Sequence, residues 1–213
     1  MKLYSYWRST TSYRVRAALN LKGLTYETCA IDLVAGEQRD AGYIAMNPIQ
    51  GVPTLVLDDG ATLTQSMAIL EYLDSVYPEP RLIPEDPLER AKAMAVAHAV
   101  ATDIHPVNNL RVIGQLKARF GATPNDARSW MQHWMIEGFT AIEALLPKGD
   151  AFAFGGVPNI ADICITAQIY NAHRWGVDLN PFPKIARIES QCMSLPAFTA
   201  AHPDNQPDAK ETL

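Results

Sequence analysis

The segment Arg8-Ser9-Thr10-Thr11-Ser12-Tyr13-Arg14 sets a run of hydroxyls where a short strand-like stretch gives way to a helical pattern. A helix start carries unsatisfied N–H groups and the positive end of the backbone dipole. An anion held there is stabilised by the dipole and by hydroxyl hydrogen bonds. A thiolate suits such a place, because its pKa falls and it becomes a nucleophile near neutral pH. No cysteine lies in the segment, so a thiolate would have to arrive on a bound small molecule. Ser and Thr are also ordinary helix caps, and this segment alone leaves both uses open.

Three further signals bear on chemistry. Val52-Pro53 leads into an apolar run ending at Leu57. With a cis bond there, the Val52 backbone would face outward and pair with a peptide-like ligand; with a trans bond it is a plain strand start. Gln65-Ser66 opens a helix, where Ser66 either caps the helix or helps bind a carboxylate. Asn159-Ile160-Ala161-Asp162 reads as a variant capping box, which makes Asp162 a structural residue rather than a catalytic acid.

The elements that must carry these residues fall into two halves. Lys2–Trp7 reads as a strand, and Thr11–Lys22 as a helix with Val15, Ala18, Leu19 and Leu21 apolar, ended by Gly23. Tyr26–Leu33 is a second strand, followed by a less regular stretch to Met46. Asp59-Gly60 between apolar runs predicts a hairpin, and Gln65–Val76 a closing helix. This β-α-β, then β-β-α order makes a mixed four-stranded, thioredoxin-like α/β domain over residues 1–78. Pro78, Pro80, Pro84 and Pro87 form a linker that no continuous helix can cross. An all-α domain over residues 87–213 is expected beyond it, with helices Leu88–Ala118, Pro124–Leu146 and Asn159–Trp175 and a fraying polar tail from Asp204 to Leu213. If Leu88–Ala118 is continuous, His105, Asn109 and Val112 share one face, with Arg111 about 120° from His105 on the Asn108 side.

A chain of 213 residues with net charge -5 and no basic block has no general attraction for nucleic acid. Nothing resembles a signal peptide or a membrane span, so no membrane partner is expected and the location is expected to be cytoplasmic. Cys29, Cys164 and Cys192 are widely spaced, odd in number and form no metal motif; three buried free thiols and no metal site are expected.

Together these segments resemble one family. Leu3–Leu19 is similar to the signature of zeta-class glutathione transferases, with Arg8 and Ser9 matching, Thr10 for a second serine, Thr11 for a cysteine and Tyr13 for a tryptophan. Asn47-Pro48, Val52-Pro53-Thr54-Leu55 and Thr64–Ile69 resemble its glutathione-binding segments, and Asn159–Asp162 and Ala201–Asp208 resemble its carboxyl half. The match spans nearly the whole chain, but only the amino-terminal signature is specific to the class.

The resemblance implies a homodimer on the glutathione-transferase fold, with glutathione as cofactor and a small dianionic dicarboxylate as substrate. Glutathione would be held by Ser9, Thr10, Thr11, Gln38, Gln50, Val52, Gln65 and Ser66, with His105, Asn108 and Asn109 approaching it, and the helical domain would complete the substrate pocket. The activity implied is cis–trans isomerisation of maleylpyruvate or maleylacetoacetate by reversible thiolate addition, with glutathione not consumed. Ser9 would support the thiolate, and Arg8, Arg111 and Arg174 are the cations for the substrate, with Thr11 beside Ser9. Arg111 and Arg174 also read as solvated surface charges. Arg111 stands where a small polar residue is expected, which tilts the reading toward maleylpyruvate. A conjugating transferase or dehalogenase, and a non-catalytic glutathione-binding module, are the competing readings.

Overall fold

The structure is a computed structural model that describes residues 1–209. Its described residues group into two compact units, one of residues 1–82 with the end of the chain from Met193, the other of residues 83–192.

In the first unit the strands are β1 (Lys2–Ser5), β2 (Glu27–Ala30), β3 (Thr54–Val56) and β4 (Thr62–Thr64), in the order β2-β1-β3-β4. β1 runs parallel to β2 and antiparallel to β3, which pairs antiparallel with β4 across the Asp59-Gly60 hairpin. Gly60 there has φ 87°, a value that favours glycine. α1 (Thr10–Leu21), α2 (Ala41–Met46) and α3 (Ser66–Val76) complete the expected thioredoxin-like set. Leu3, Leu19, Leu55, Ile69, Leu70 and Leu73 form its fully buried core. Where the proline linker leaves this unit, the buried Lys22 ammonium bonds Asp74 at 2.9 Å and the carbonyls of Tyr77 and Pro80.

The carboxyl-terminal segment, read from the sequence as part of the helical domain, packs with the first unit. α9 (Pro196–Ala201) lies on α1, where Tyr13, Arg16 and Asn20 donate to the carbonyls of Phe198, Ala201 and Ala197. The expected fraying tail is tied down over its described part: Pro203–Asn205 is a 3-10 turn and Asp208 bonds Trp7, while residues 210–213 lie outside the described residues.

The second unit is helical. α4 (Pro87–His98) passes into a π-helical stretch, Ala99–Ile104, then a 3-10 turn, Pro106–Asn108, before α5 (Leu110–Phe120) begins. The expected single helix from Leu88 to Ala118 is therefore broken. Pro106 has no N–H for the α-helical ladder, and Asn109 is extended (φ -68°, ψ 148°) as the cap of α5. α6 (Pro124–Leu145), α7 (Ile160–Trp175) and α8 (Pro183–Met193) follow. α7 is apolar nearly all round and accordingly buried, packing on α4 and α6. It starts with the predicted capping box: Asp162 accepts from Asn159 N at 2.9 Å, and also from Ala153 N at 2.7 Å. Cys164 and Cys192 are buried free thiols as expected, whereas Cys29, on the edge strand β2, is only half-buried.

Candidate active site

β1 ends in a turn closed by a hydrogen bond from Ser9 N to the Tyr6 carbonyl at 3.0 Å. Ser9 caps α1, its Oγ accepting from Ser12 N at 3.2 Å. Ser9 Oγ and Thr11 Oγ1 are 2.8 Å apart, and Thr11 Oγ1 donates to the Val52 carbonyl at 2.8 Å. A carbonyl only accepts, and threonine has one hydroxyl proton. The chain of donation is thus fixed: Ser12 N–H to Ser9, Ser9 to Thr11, Thr11 to Val52. Ser9 is the helix cap that the sequence left open as one of its two uses. Thr10 is buried as the first residue of α1, and Arg8 is half-buried with its guanidinium 5.1 Å from the centre of the Trp7 ring.

The Val52–Pro53 bond is cis. Among the described residues the Val52 N–H donates to none. The loop before it is pinned by the buried Asn47, whose Nδ2 donates to Gly51 O at 2.8 Å and Thr54 Oγ1 at 2.9 Å. The Tyr43 hydroxyl adds a bond to Gly51 O at 2.6 Å, and burial pushes that phenol's pKa up. Gln50, at the exposed crest of this loop, has φ 58°.

Gln65 has φ 67°, and with Gln50 it completes the non-glycine residues of positive φ among those described. Such a backbone is uncommon outside glycine, and strain of this kind collects at ligand sites. Gln65 is the cap position of α3 but makes no side-chain capping bond. Ser66 is therefore the first helical residue and not the cap. It is buried, and its Oγ accepts from Arg14 Nη1 at 3.3 Å. Gln38, in the 3-10 turn Glu37–Arg39, is half-buried, with its Oε1 enclosed and without a described hydrogen-bond partner.

The remaining predicted residues belong to the second unit. His105 ends the π-helical stretch. The Asn108 amide is enclosed and bonds no described residue, while Asn109 Oδ1 caps α5 by accepting from Arg111 N at 3.0 Å. His105 and Asn109 do not share a helix face as predicted, because no α-helix connects them. Arg111 is exposed in the first turn of α5, where the helix dipole disfavours a cation, and it has no ion pair among the described residues. A carboxylate bound there would gain from both the guanidinium and the helix end. Arg174 is exposed in the last turn of α7, where the dipole favours it, and lies 5.0 Å from the Trp175 ring.

Residue reasoning gave no role to Arg14 and Arg16. Both are buried in α1, Arg14 under Ser66 and Arg16 under the Tyr6–Trp7 carbonyls. Their signal was present as two arginines inside an otherwise buried helix pattern. Among the described residues no cluster of His, Cys, Asp or Glu could hold a metal, and no helix is long and apolar enough to cross a membrane.

Comparison with known proteins agrees with this geometry. Residues 1–75 match the glutathione S-transferase N-terminal domain. The chain is 46% identical to a maleylacetoacetate isomerase from Pseudomonas aeruginosa over 98% of both chains. It superposes on the holo structure of a bacterial zeta-class maleylpyruvate isomerase with a TM-score of 0.96 and 43% identity, over 99% of this chain and 100% of that one. A maleylacetoacetate isomerase from Methylobacterium extorquens AM1, solved with bound malonate and glutathione, gives a TM-score of 0.92 at 36% identity, over 99% of this chain and 100% of that one. With the mixed sheet, the hydroxyl-capped α1 and the Val52–Pro53 loop in place, the chain belongs to the zeta-class glutathione transferases, the family of the maleylacetoacetate and maleylpyruvate isomerases.

Proposed function

We propose that the protein is a glutathione-dependent cis–trans isomerase of a small keto-dicarboxylate, with maleylpyruvate as lead substrate and maleylacetoacetate as the alternative. The observation that carries this reading is the hydroxyl chain from Ser9 through Thr11 to Val52, set at the start of α1. The residues present fit glutathione. The positive end of the α3 dipole beside Gln65 and Ser66 suits its γ-glutamyl carboxylate, and the Val52 N–H, which has no described acceptor, suits a peptide carbonyl. When bound, glutathione supplies a thiolate that adds reversibly to the substrate double bond and is regenerated.

The chain's own residues do the rest. The start of α1 favours the anionic sulfur, and Ser9 can turn its proton from Thr11 to a charged acceptor, which makes the stronger bond. Asn47 and Tyr43 fix the loop that presents Val52. For the substrate carboxylates we assign Arg8, Arg111 and Arg174, since a planar guanidinium matches a carboxylate. Arg111 favours the shorter dianion, maleylpyruvate. The family resemblance adds a homodimer in the cytoplasm, which sedimentation and fractionation would test.

The decisive assay follows maleylpyruvate by its ultraviolet absorbance, with and without glutathione. Turnover that requires glutathione and leaves its thiol titre unchanged supports isomerisation; consumption of thiol in step with substrate would point to a conjugating transferase. Equal turnover of maleylacetoacetate, or no selective loss in Arg111→Ala, would remove the preference for maleylpyruvate.

A further inference from the structure

The backbone of Trp7 is held from both sides. Its N–H donates to Asp208 Oδ2 at 3.0 Å, across 201 positions of sequence. Its carbonyl accepts from Arg16 Nη2 at 3.0 Å. Arg16 is fully buried and joins this loop to α9 through the Ala201 carbonyl, 2.9 Å from Nε. Trp7 and Arg8 are the two central residues of the turn that Ser9 N closes on Tyr6 O. Tight turns of this kind change type when the central peptide flips, which re-aims the residues on either side. Arg16 holds that central peptide by its carbonyl, and Asp208 holds the preceding one by its N–H. The Arg8 guanidinium, stacked against Trp7, follows the turn. Asp208 is itself placed by Gln206, whose Nε2 donates to the carbonyls of Ala200 and His202 at 2.9 Å.

We propose that Asp208 is a positioning residue for the reaction: from the end of the chain it latches the Trp7–Arg8 turn, and thereby sets Arg8 for the substrate and Ser9 for the thiolate. The proposal rests on the reading above that Arg8 and Ser9 form the site. A carboxylate acceptor makes this bond stronger than a neutral group would. Loss of the latch lets the turn move while the sheet and α1 stay packed, so the effect falls on kinetics more than on stability.

The test compares full-length Asp208→Ala and Asp208→Asn with the wild type, measuring kcat, the KM values for maleylpyruvate and glutathione, and the melting temperature. The Asn variant keeps an oxygen that can accept from Trp7 N–H. Asp208→Ala is expected to lose about tenfold in kcat/KM, roughly the effect of one broken charge-assisted bond, and Asp208→Asn to recover most of it. Wild-type kinetics in Asp208→Ala would overturn the proposal, even with a lowered melting temperature. Equal impairment of Asp208→Asn would also overturn it, by showing that charge and not the bond to Trp7 matters. If Asp208→Ala does not fold, Asp208→Glu replaces it, since one extra methylene carries the carboxylate away from Trp7 and the same loss is expected. Arg8→Ala separates the two levels: impaired Arg8→Ala with unimpaired Asp208→Ala removes the latch alone, and wild-type kinetics in Arg8→Ala remove the underlying reading.

Discussion

Thr11 Oγ1 donates to the Val52 carbonyl at 2.8 Å, and that bond determines where the Ser9 proton points. With its own proton committed to Val52, Thr11 can only accept from Ser9. The residue that stands where the resemblance expects a cysteine therefore ties the start of α1 to the loop that carries Val52. Thr11→Ser keeps the hydroxyl and is expected to keep the glutathione KM within about twofold. Thr11→Val leaves the Val52 carbonyl without its donor, a loss of about 1–3 kcal/mol if the group stays buried, and the glutathione KM is expected to rise about tenfold. Thr11→Cys has only a weak S–H donor and should fall between them. Identical KM values for Thr11→Val and the wild type would show that the tie has no part in binding.

Gln65 occupies a left-handed conformation at the mouth of α3 with no capping bond to show for it. Strain of this kind costs about 1–3 kcal/mol and persists where a ligand uses it. Glycine adopts φ 67° freely, so Gln65→Gly is expected to stabilise the fold by about 1 kcal/mol in urea unfolding while raising the glutathione KM at least several-fold. A variant that is more stable and binds glutathione as well as the wild type would show that Gln65 is not a ligand group.

Much of this was legible in the residues. The Asp59-Gly60 hairpin, the helix after Ser9 and the Asn159–Asp162 box each rest on local rules, and each formed where those rules put it. What failed was continuity and tertiary destination. Periodicity ran straight through Pro106, although a proline there and the Asn108-Asn109 pair carried the information for a break and a new cap. Ser66 looked like a cap because serine so often is one, but the backbone turns at Gln65, one residue earlier. The polar end of the chain has no apolar pattern to announce that it packs. Its hold comes from side-chain bonds to backbone, such as Asp208 to Trp7, which no sequence period encodes.

Gly138 in α6 lies against Ile104, the last residue of the π-helical stretch before His105. A methyl group on Gly138 would lie 2.2 Å from Ile104 Cγ1 and Cδ1, and Ile104 is 1% exposed with nowhere to go. Trp130, two turns earlier on α6, donates its indole N–H to Val107 O at 2.9 Å, so α6 holds this irregular segment at two points. Gly138→Ala is expected to destabilise by about 1–3 kcal/mol through overpacking, and to cost clearly less when introduced into Ile104→Ala, where the clash is gone. Additive costs in that double variant, read from urea unfolding, would show that the two residues do not meet in solution.

Asp162 sets a pH dependence whose sign can be worked out. Burial pushes its carboxyl up to about 7 from an ordinary 3.8, against the opposing pull of the Asn159 and Ala153 N–H groups and of Arg187. Between about pH 4 and 7 the folded chain keeps a proton that the unfolded chain has released. The contribution of this group is therefore fully present below the unfolded value, declines as pH rises through that window, and is constant above it. The shift corresponds to an upper limit of about 4 kcal/mol. Asp162→Asn cannot titrate and leaves one backbone donor poorly paired, so it should be the less stable protein at pH 4. The gap between it and the wild type is then expected to narrow toward pH 7 in urea unfolding. A gap that stays constant from pH 4 to 7 would mean that the two N–H bonds and Arg187 outweigh burial and keep the carboxylate ionised throughout.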